Sequence, residues 1–385
     1  MKTVMIVAGE SSGELYGSLL AKALKSMWPD VRVMGIGGER MRDAGVEMLA
    51  GISSSFGVTE TLLSLKRLRE SFGVASRALA EIAPDVVVLI DYPDFNFRIA
   101  RIAKRLGLKV LYYVSPQVWA WRKGRVRTMG EIADRVAVIL PFEEEIYRSA
   151  GVPCEFVGHP VMEEIEGYER KKEKSEAGSQ KLRVKAENPT IALLPGSRPH
   201  ELKTLLPVFV DFVRMSGDGL PNPQFIVPLA PNIDAERFRG PVSLLRGMGV
   251  KFVKRRTIET LADSDLAVVA SGTATLQAAL LGVPNVVVYK VSPVTYFAGK
   301  TILNVKYISL VNIIPGRQVV RELIQREANA TNIMQEVRKI LYDGSYRSAM
   351  MSSFEEIRKI FLGMRPSHRV AEMIGGMAGW SPQQA

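Results

Sequence analysis

Small polar residues and a carboxylate directly follow the first predicted strand of the chain. Val4–Ala8 is apolar, and Gly9-Glu10-Ser11-Ser12-Gly13 leads from it into a helical pattern. Glycine lets the backbone approach a ligand closely, and the N–H groups at the start of a helix can bind an anion or a sugar hydroxyl. Ser11 and Ser12 could instead cap that helix. Glu10 needs a partner, because a carboxylate at a buried strand end is costly to leave unpaired.

A second carboxylate ends another buried strand. Val86–Ile90 is continuously apolar, as a strand covered on both faces should be, and Asp91 comes directly after it, before a Tyr-Pro pair. A carboxylate held at a strand end by a stiff segment suits a general base, which removes the proton of an acceptor hydroxyl. Asp91 could equally fix the backbone N–H groups of its loop, so the residues alone leave both roles open.

Two loops in the second half of the chain carry residue types that bind phosphate. Arg198 lies in a Leu-Pro-Gly-Ser-Arg turn after a predicted strand, where a guanidinium can clamp a phosphate, although Glu201 could simply pair with it. Ser271, Gly272 and Thr273 open a helix after a later strand, which is the arrangement of a diphosphate cradle. Ser/Thr caps are common, but the two turns together favour a phosphate site.

An aromatic and basic segment follows a further strand. Trp119 and Arg122 belong to a Ser-Pro-Gln-Val-Trp-Ala-Trp-Arg string that starts at Ser115. They could form a rim for a substrate with apolar and anionic parts, or be core aromatics beside a solvated basic face. His159, after the predicted strand end at Val157, could line the same site or serve a structural role.

A predicted helix near residues 58–72 has a basic residue on its apolar face. Leu62 and Leu65 lie on that face, Arg69 lies near its middle and Lys66 lies beside it. This pattern is typical of a basic helix on an anionic membrane, but it also fits an ordinary helix with Arg69 extended towards water.

Other residues of reactive type are predicted to be structural. Asp263-Ser264-Asp265 spells the D-x-D of metal-dependent sugar transferases, but it precedes its strand and so lies at the edge opposite the expected site. Cys154 has no neighbouring base in the sequence and is expected to be buried. With a single Cys and 3 His, we expect no metal site, no disulfide and no cofactor.

The composition limits the class of protein. The chain has 385 residues, 47% of them hydrophobic, and its 51 basic and 40 acidic residues give a net charge of +11. An ordered protein of two or three domains is expected. No secretory signal and no run of ~18 apolar residues is present, so we expect a soluble or peripheral protein. The charge suits an anionic small molecule or a membrane surface better than nucleic acid, because basic tails and RNA-recognition strands are missing.

Strands alternating with helices must position these loops. The pattern predicts an α/β protein with two doubly wound, Rossmann-like domains and a helical C-terminal tail, with ligands in a central cleft beyond the carboxyl ends of the strands. We expect a first domain over residues 1–165, completed by C-terminal helices of about 350–385. A charged linker or surface excursion spans 166–189, and a second domain spans 190–349.

Eight motifs in chain order resemble one known family. They are Gly9-Glu10-Ser11-Ser12-Gly13, Asp91-x-Pro93-Asp94-Phe95-Asn96, Tyr113-Val114-Ser115-Pro116-x-Val118-Trp119-Ala120-Trp121-Arg122, Leu140-Pro141-Phe142-Glu143, Phe156-Val157-Gly158-His159-Pro160, Leu194-Pro195-Gly196-Ser197-Arg198, Ala270-Ser271-Gly272-Thr273-Ala274-Thr275 and Tyr307-Ile308-Ser309-Leu310-x-Asn312. Together they resemble lipid-A-disaccharide synthases, inverting glycosyltransferases of the GT-B fold.

The resemblance implies a reaction and a location. UDP-2,3-diacylglucosamine would donate its sugar to 2,3-diacylglucosamine 1-phosphate (lipid X), giving a β-1,6-linked disaccharide 1-phosphate and UDP without a metal. The family acts at the cytoplasmic face of the inner membrane of Gram-negative bacteria, so the resemblance implies a peripheral membrane protein with an anionic surface as partner.

The resemblance also implies roles for single residues. Asp91 matches the family's essential Asp and is our candidate base, with Glu10 as the alternative. Asn312 matches a family Asn near the donor. One position departs from the pattern, since GT-B enzymes commonly hold the ribose with a Glu where this chain has Gln277. The matching substrate-side residues are Ser11, Ser12, Ser115, Trp119, Arg122 and His159, and the matching diphosphate residues are Arg198, Ser271, Gly272 and Thr273.

Two alternatives stay open from the sequence. A UDP-sugar 2-epimerase shares the architecture and would act on a water-soluble donor with no lipid acceptor. A non-catalytic basic protein that binds a membrane or RNA would explain the charge but not the residues at the strand ends.

Overall fold

The chain forms two compact α/β units. The computed structural model describes residues 1–51, 61–117, 124–175, 187–230, 233–254, 256–291 and 306–381, without the side chains of 61–68, 174, 175 and 218. The first unit contains Met1–Pro160 and the described residues from Gly363 onward, and the second contains the described residues from Val161 to Leu362.

The first unit is built on a parallel sheet of seven strands. The order is β3-β2-β1-β4-β5-β6-β7. The strands are β1 (Thr3–Ala8), β2 (Arg32–Gly37), β3 (Glu47–Gly51), β4 (Val86–Ile90), β5 (Lys109–Tyr113), β6 (Arg135–Val138) and β7 (Cys154–Phe156). The helices between them are α1 (Ser11–Met27), α2 (Glu39–Asp43), α3 (Thr61–Ile82), α4 (Pro93–Arg105), α5 (Arg125–Ile132) and α6 (Glu143–Arg148).

The second unit is built on a parallel sheet of six strands. The order is β10-β9-β8-β11-β12-β13. The strands are β8 (Thr190–Leu194), β9 (Gln224–Leu229), β10 (Lys251–Lys254), β11 (Leu266–Ala270), β12 (Asn285–Tyr289) and β13 (Glu322–Ile324). Its helices are α7 (Val161–Ser175), α8 (Pro199–Gly219), α9 (Arg239–Gly247, after a 3₁₀ turn at Ala235–Phe238), α10 (Thr257–Ala262), α11 (Thr273–Leu280), α12 (Leu310–Ile313), α13 (Ala330–Tyr342) and α14 (Gly344–Phe361).

Both sheets bury their central strands completely. All residues of β1, β4 and β11 are buried, so each of these strands needs apolar side chains on both faces. This agrees with the continuous apolar runs from which these strands were predicted. Within each sheet, parallel strands with helical crossovers bring the carboxyl ends of the strands to one edge. In the first unit this edge carries the loops that follow β1, β4 and β5, and in the second unit it carries the loops that follow β8 and β11.

The boundaries of the two units differ in detail from the expected boundaries. Residues 166–175, expected in a charged linker, continue helix α7, which packs against α11. Of the tail from about 350, α14 belongs to the second unit, and only α15 (Pro366–Ala378) belongs to the first, where it packs on α1. The division between the units therefore falls at Gly363 in the tail.

Candidate functional site

Hydrogen bonds of its backbone N–H and C=O groups hold Asp91 at the end of β4. Its N–H donates to the carbonyl of Tyr113 (3.2 Å). Its carbonyl accepts from Asn96 Nδ2 (2.7 Å) and from the Tyr112 hydroxyl (2.7 Å). Because these bonds fix the peptide on both sides, the ends of β4 and β5 set the position of the Asp91 backbone that carries the carboxylate.

The backbone at this strand end is strained. Asp91 and Tyr92 have φ of +48° and +49°, and Val114, at the end of the adjacent β5, has φ of +62°. Left-handed backbone is costly for these residue types, most of all for β-branched valine, and it persists only where surrounding contacts impose it. Such clusters are typical of functional sites, so this edge of the first sheet is our candidate for the chemistry.

Glu10 lies beside the same edge. The register pairs Ala8 with Ile90, so Gly9-Glu10 and Asp91-Tyr92 leave neighbouring strands together. A Cβ on Gly9 would lie 2.3 Å from the Tyr92 ring, so only glycine lets that ring pack on the loop. The pKa of Tyr92 is raised, first by burial and then by the negative charges of Glu10 and Asp94. Two carboxylates, Glu10 and Asp91, therefore meet at one end of the sheet.

The serines of the first loop do not cap the following helix. Helix α1 begins at Ser11, its N-cap residue is Glu10, and no side-chain capping bond is present there. Ser11 and Ser12 occupy the first turn and are partly exposed. The capping alternative for these two residues is therefore wrong, and their hydroxyls stay candidates for substrate contact.

Two residues expected to contact substrate are instead buried. The Ser115 hydroxyl, in a residue 5% exposed, donates to Glu143 Oε1 (3.2 Å), and Glu143 Oε2 also accepts from the Leu140 N–H (3.1 Å). His159 is 1% exposed and packs edge-on against Tyr16, with ring centroids 5.9 Å apart. Burial lowers its pKa to about 3, so the imidazole is neutral at physiological pH. Both side chains support the loops and do not line an open surface.

In the second unit, Glu201 closes the turn that carries Arg198. Glu201 Oε2 accepts from the N–H groups of Ser197 (3.0 Å) and Arg198 (3.1 Å), and Gly196, at φ +100°, has no Cβ to block the carboxylate. The Arg198 guanidinium pairs with Glu201 only at 3.8 Å, and the Arg198 side chain is 53% exposed. Both predicted alternatives are thus partly realised: Glu201 shapes the turn, and the turn presents a half-exposed guanidinium.

The Ser-Gly-Thr turn leads into helix α11 as predicted. Gly272 is the N-cap residue and Thr273 is the first helical residue. The Ser271 hydroxyl donates to the Ile308 carbonyl (2.8 Å), and the Thr275 hydroxyl donates to the Gly272 carbonyl (2.8 Å). These hydroxyl protons are therefore used within the protein. Backbone N–H groups of the first helical turn, which have no acceptor within the helix, are what the turn offers to an anion.

Asn312 and Gln277 are also buried. Asn312 is 0% exposed, and its amide group forms hydrogen bonds with Val319, Val320 and Glu322. Gln277 is 8% exposed, and its Nε2 donates to Glu164 Oε2 on α7 (2.9 Å). The expectation that these side chains lie near the nucleotide stays a prediction; within the protein, Asn312 supports a loop and Gln277 joins two helices.

Asp265 and Cys154, which were predicted to be structural, form hydrogen bonds with the backbone. The Asp265 carboxylate accepts from the Thr190 N–H (2.8 Å) at the amino ends of β8 and β11. Asp85 does the same for Thr3 (2.8 Å) in the first sheet, so this is a way of aligning strands. The Cys154 thiol is partly buried, donates to the Glu144 carbonyl (3.3 Å), and has its pKa raised, mainly by burial.

Some predicted contacts fall outside the described part of the chain. Trp119 and Arg122 lie in 118–123, and the side chains of Leu62, Leu65 and Lys66 are not described. Arg69, on the same helix α3, is exposed. Across the described residues, no helix is both long and apolar enough to cross a membrane.

Four residues that support the site were not assigned a role from the sequence. Asn96 and Glu143 belong to the quoted motifs and Glu322 follows the last of them, and a polar side chain beside a strand end is a usable signal. Tyr112 lies inside an apolar strand, and nothing in the sequence pattern indicates which group its hydroxyl binds. Burial raises its pKa well above the usual value, and the charge of Asp91 adds to this.

The fold is shared with proteins that act on sugar nucleotides. The S. aureus MnaA–UDP complex superposes with a TM-score of 0.67 at 12% identity, covering 100% of this chain and 99% of that chain. Methanocaldococcus jannaschii UDP-GlcNAc 2-epimerase, in complex with UDP-GlcNAc and UDP, gives 0.64 at 13% identity, over 98% and 100%. CalG4, the calicheamicin glycosyltransferase, gives 0.59 at 15% identity, over 98% of each chain. The predicted GT-B fold, which these proteins share, is thereby confirmed.

Sequence relatives narrow the class. The family model described as lipid-A-disaccharide synthetase matches residues 4–368. The lipid-A-disaccharide synthase of Myxococcus xanthus (strain DK1622) is 43% identical over 359 residues, covering 92% of both chains. That of Syntrophus aciditrophicus (strain SB) is 41% identical over 359 residues, covering 93% of both. The chain belongs to the lipid-A-disaccharide synthase family and is a glycosyltransferase of lipid A biosynthesis. The epimerases share its fold alone.

Proposed function

We propose that this chain joins UDP-2,3-diacylglucosamine to lipid X, with inversion, to give the β-1,6-linked disaccharide 1-phosphate and UDP. The observation that carries the proposal is Asp91. Its peptide is fixed by three hydrogen bonds at a strained strand end, and Glu10 follows the neighbouring strand. A carboxylate carried by a fixed peptide can meet a hydroxyl in a set geometry, which general-base catalysis requires.

On the acceptor side, Asp91 takes the proton of the 6-hydroxyl. The hydroxyl oxygen then forms the new bond to the anomeric carbon of the donor as the bond from that carbon to the diphosphate oxygen breaks. The proton ends on Asp91, and the electron pair of the broken bond leaves with UDP. Attack opposite the leaving group converts an α-linked donor into a β-linked product. Ser11 and Ser12, exposed in the first turn of α1, are placed to bind sugar hydroxyls.

On the donor side, charge develops on the departing diphosphate. The guanidinium of Arg198, carried by the turn that Glu201 closes, and the fixed backbone N–H groups at the start of α11 are donors for that charge. Fixed donors of this kind lower the barrier because they need no reorganisation during the reaction. Gly272 and Thr273 contribute to this site through their backbone N–H groups, and Ser271 holds the turn through its bonds to Val288 and Ile308.

We also propose that the enzyme works at the cytoplasmic face of the inner membrane, on an anionic surface. The net charge of +11, the exposed Arg69 on α3 and lipid substrates support this. Flotation with vesicles containing anionic phospholipid tests it: recovery with the vesicles at low salt, reduced at high salt, is expected. Equal recovery with neutral vesicles would argue against an electrostatic surface.

The reaction itself is tested with purified protein, UDP-2,3-diacylglucosamine and lipid X, with and without EDTA. Disaccharide 1-phosphate and one equivalent of UDP in both samples are expected. Activity lost on EDTA treatment and restored by a divalent ion would overturn the metal-free reaction. Incubation with UDP-GlcNAc alone addresses the epimerase alternative, since release of the free 2-epimeric sugar would support it.

A further inference from the structure

The carboxylate of Glu322 binds an unusual number of donors. Glu322, in β13, accepts from the N–H groups of Ile308 (3.0 Å) and Ser309 (2.9 Å), from the Ser309 hydroxyl (2.6 Å) and from Asn312 Nδ2 (2.9 Å). Ser309 and Asn312 are each 0% exposed. Four donors on one partly buried carboxylate fix the segment that precedes α12.

Asn312 closes the same segment from its other end. Its Oδ1 accepts from the N–H groups of Val319 (2.7 Å) and Val320 (3.0 Å), and its Nδ2 also donates to the Val320 carbonyl (2.9 Å). Residues 308–322 are therefore tied at both ends to one Asn–Glu pair. A network whose members are all satisfied is rigid, and a half-satisfied one is costly.

The network reaches the proposed diphosphate turn through one peptide group. The Ile308 N–H donates to Glu322, and the carbonyl of the same residue accepts from the Ser271 hydroxyl (2.8 Å). Ser271 also donates its N–H to the Val288 carbonyl (3.2 Å). The start of α11 is thus held on one side by β12 and on the other by Ile308, whose position depends on Glu322.

We propose that Glu322 is a positioning residue for the donor: it holds Ile308 so that the Ser271–Thr273 turn presents its N–H groups to the diphosphate. The inference rests on the proposed function of that turn. Glu322 is joined to this turn through Ile308 and Ser271, so its loss should move the turn and leave the acceptor side unchanged.

The test is the Glu322→Gln variant, with Glu327→Gln, an exposed neighbour beyond β13, as the matched control. The amide keeps the size of the side chain but turns an acceptor oxygen into a donor that faces N–H groups. We expect the UDP dissociation constant and the donor KM to rise about tenfold, the size of one lost charged hydrogen bond, with the lipid X KM unchanged. Glu327→Gln should match the wild type.

A purely structural role would give a different pattern. It would lower the active fraction, and so kcat, while leaving both KM values as in the wild type, and this result would overturn the inference. In a double-mutant cycle, Ser271→Ala should add little in the Glu322→Gln background, because both changes cut the same connection; full additivity would contradict it. Wild-type protein that fails to bind UDP would refute the proposed donor site itself, which separates the two failures.

Discussion

At the scale of single residues, the catalytic assignment depends on how firmly Asp91 is held compared with its neighbours. Asp94, three residues along, has a side chain 88% exposed and pairs with Arg125 at 2.9 Å. Asp91 has its peptide group locked by Tyr113, Asn96 and Tyr112. Because a general base must meet its proton in a set geometry, the carboxylate on the fixed backbone is the better candidate.

Replacing Asp91 by Asn should therefore abolish chemistry without affecting donor binding. We expect turnover to fall by about 10²–10⁴-fold, the usual contribution of a general base, with the UDP dissociation constant unchanged. Initial rates of disaccharide formation and calorimetric titration of UDP measure the two quantities. Asp94→Asn is the control and should keep nearly full turnover. If Asp91→Asn stays active while Glu10→Gln loses activity, the base is Glu10.

Arg198 makes the converse prediction on the donor side. Its guanidinium is half-exposed and only loosely paired with Glu201, so removing it should leave the turn intact. We expect Arg198→Ala to weaken UDP binding about 10–100-fold, equivalent to about 1.4–2.7 kcal/mol, because a charged hydrogen bond to phosphate is lost. Arg214→Ala, on the same helix and 64% exposed, is the control. An unchanged dissociation constant for Arg198→Ala would refute the clamp.

At the scale of elements, the sequence predicted the buried strands well and the edge strands poorly. β4 and β11 were identified to the residue, because both faces of these strands are covered and every position is apolar. The sequence did not predict β3, β10 and β13, and each of them is an edge strand of its sheet. An edge strand is half-covered and keeps polar residues, so it has no continuous apolar run to detect.

The candidate site divides along the same lines. The loops after central strands were predictable, because parallel topology puts the strand ends of each sheet at one edge of that sheet. These loops carry Glu10 and Asp91 in the first unit and Arg198 and Ser271 in the second. The partners of buried polar groups were not predictable, since they come from distant segments. Gln277 with Glu164 is an example: the two residues are 113 positions apart, and neither reveals the other.

The pairing of Gln277 with Glu164 predicts that a carboxylate at position 277 is harmful. In Gln277→Glu, two carboxylates would face each other where the amide now donates at 2.9 Å. Their repulsion raises the pKa of the pair in the folded state, so stability is lost as pH rises through that value. We expect a loss of about 1–3 kcal/mol at pH 8 that is smaller at pH 5, measured by urea unfolding. Adding Glu164→Gln should restore most of it, and a Gln277→Glu variant as stable as wild type at pH 8 would contradict the pairing.

At the scale of the whole molecule, both ends of the chain build the first unit. Helix α15 packs on α1, Trp380 contacts Trp28 with ring centroids 5.3 Å apart, and Gly375 lies against the same indole. The chain leaves this unit at Gly158-His159-Pro160, and Met364 packs on Gly158 where the chain returns. The departing and returning segments therefore meet within the first unit, next to a buried histidine.

This arrangement makes the first unit sensitive to acid through His159. Its pKa is about 3 in the folded protein, below the ordinary value of 6.5, because burial disfavours the charged ring. As pH falls below 6.5 the unfolded chain takes up the proton first, so stability decreases between pH 6.5 and 3. From pH 7 to pH 5 the loss from this residue should be about 2 kcal/mol. Urea unfolding of wild type and His159→Gln at both pH values measures it: the wild type should lose about 2 kcal/mol more than the variant, and equal losses would show that His159 does not resist protonation.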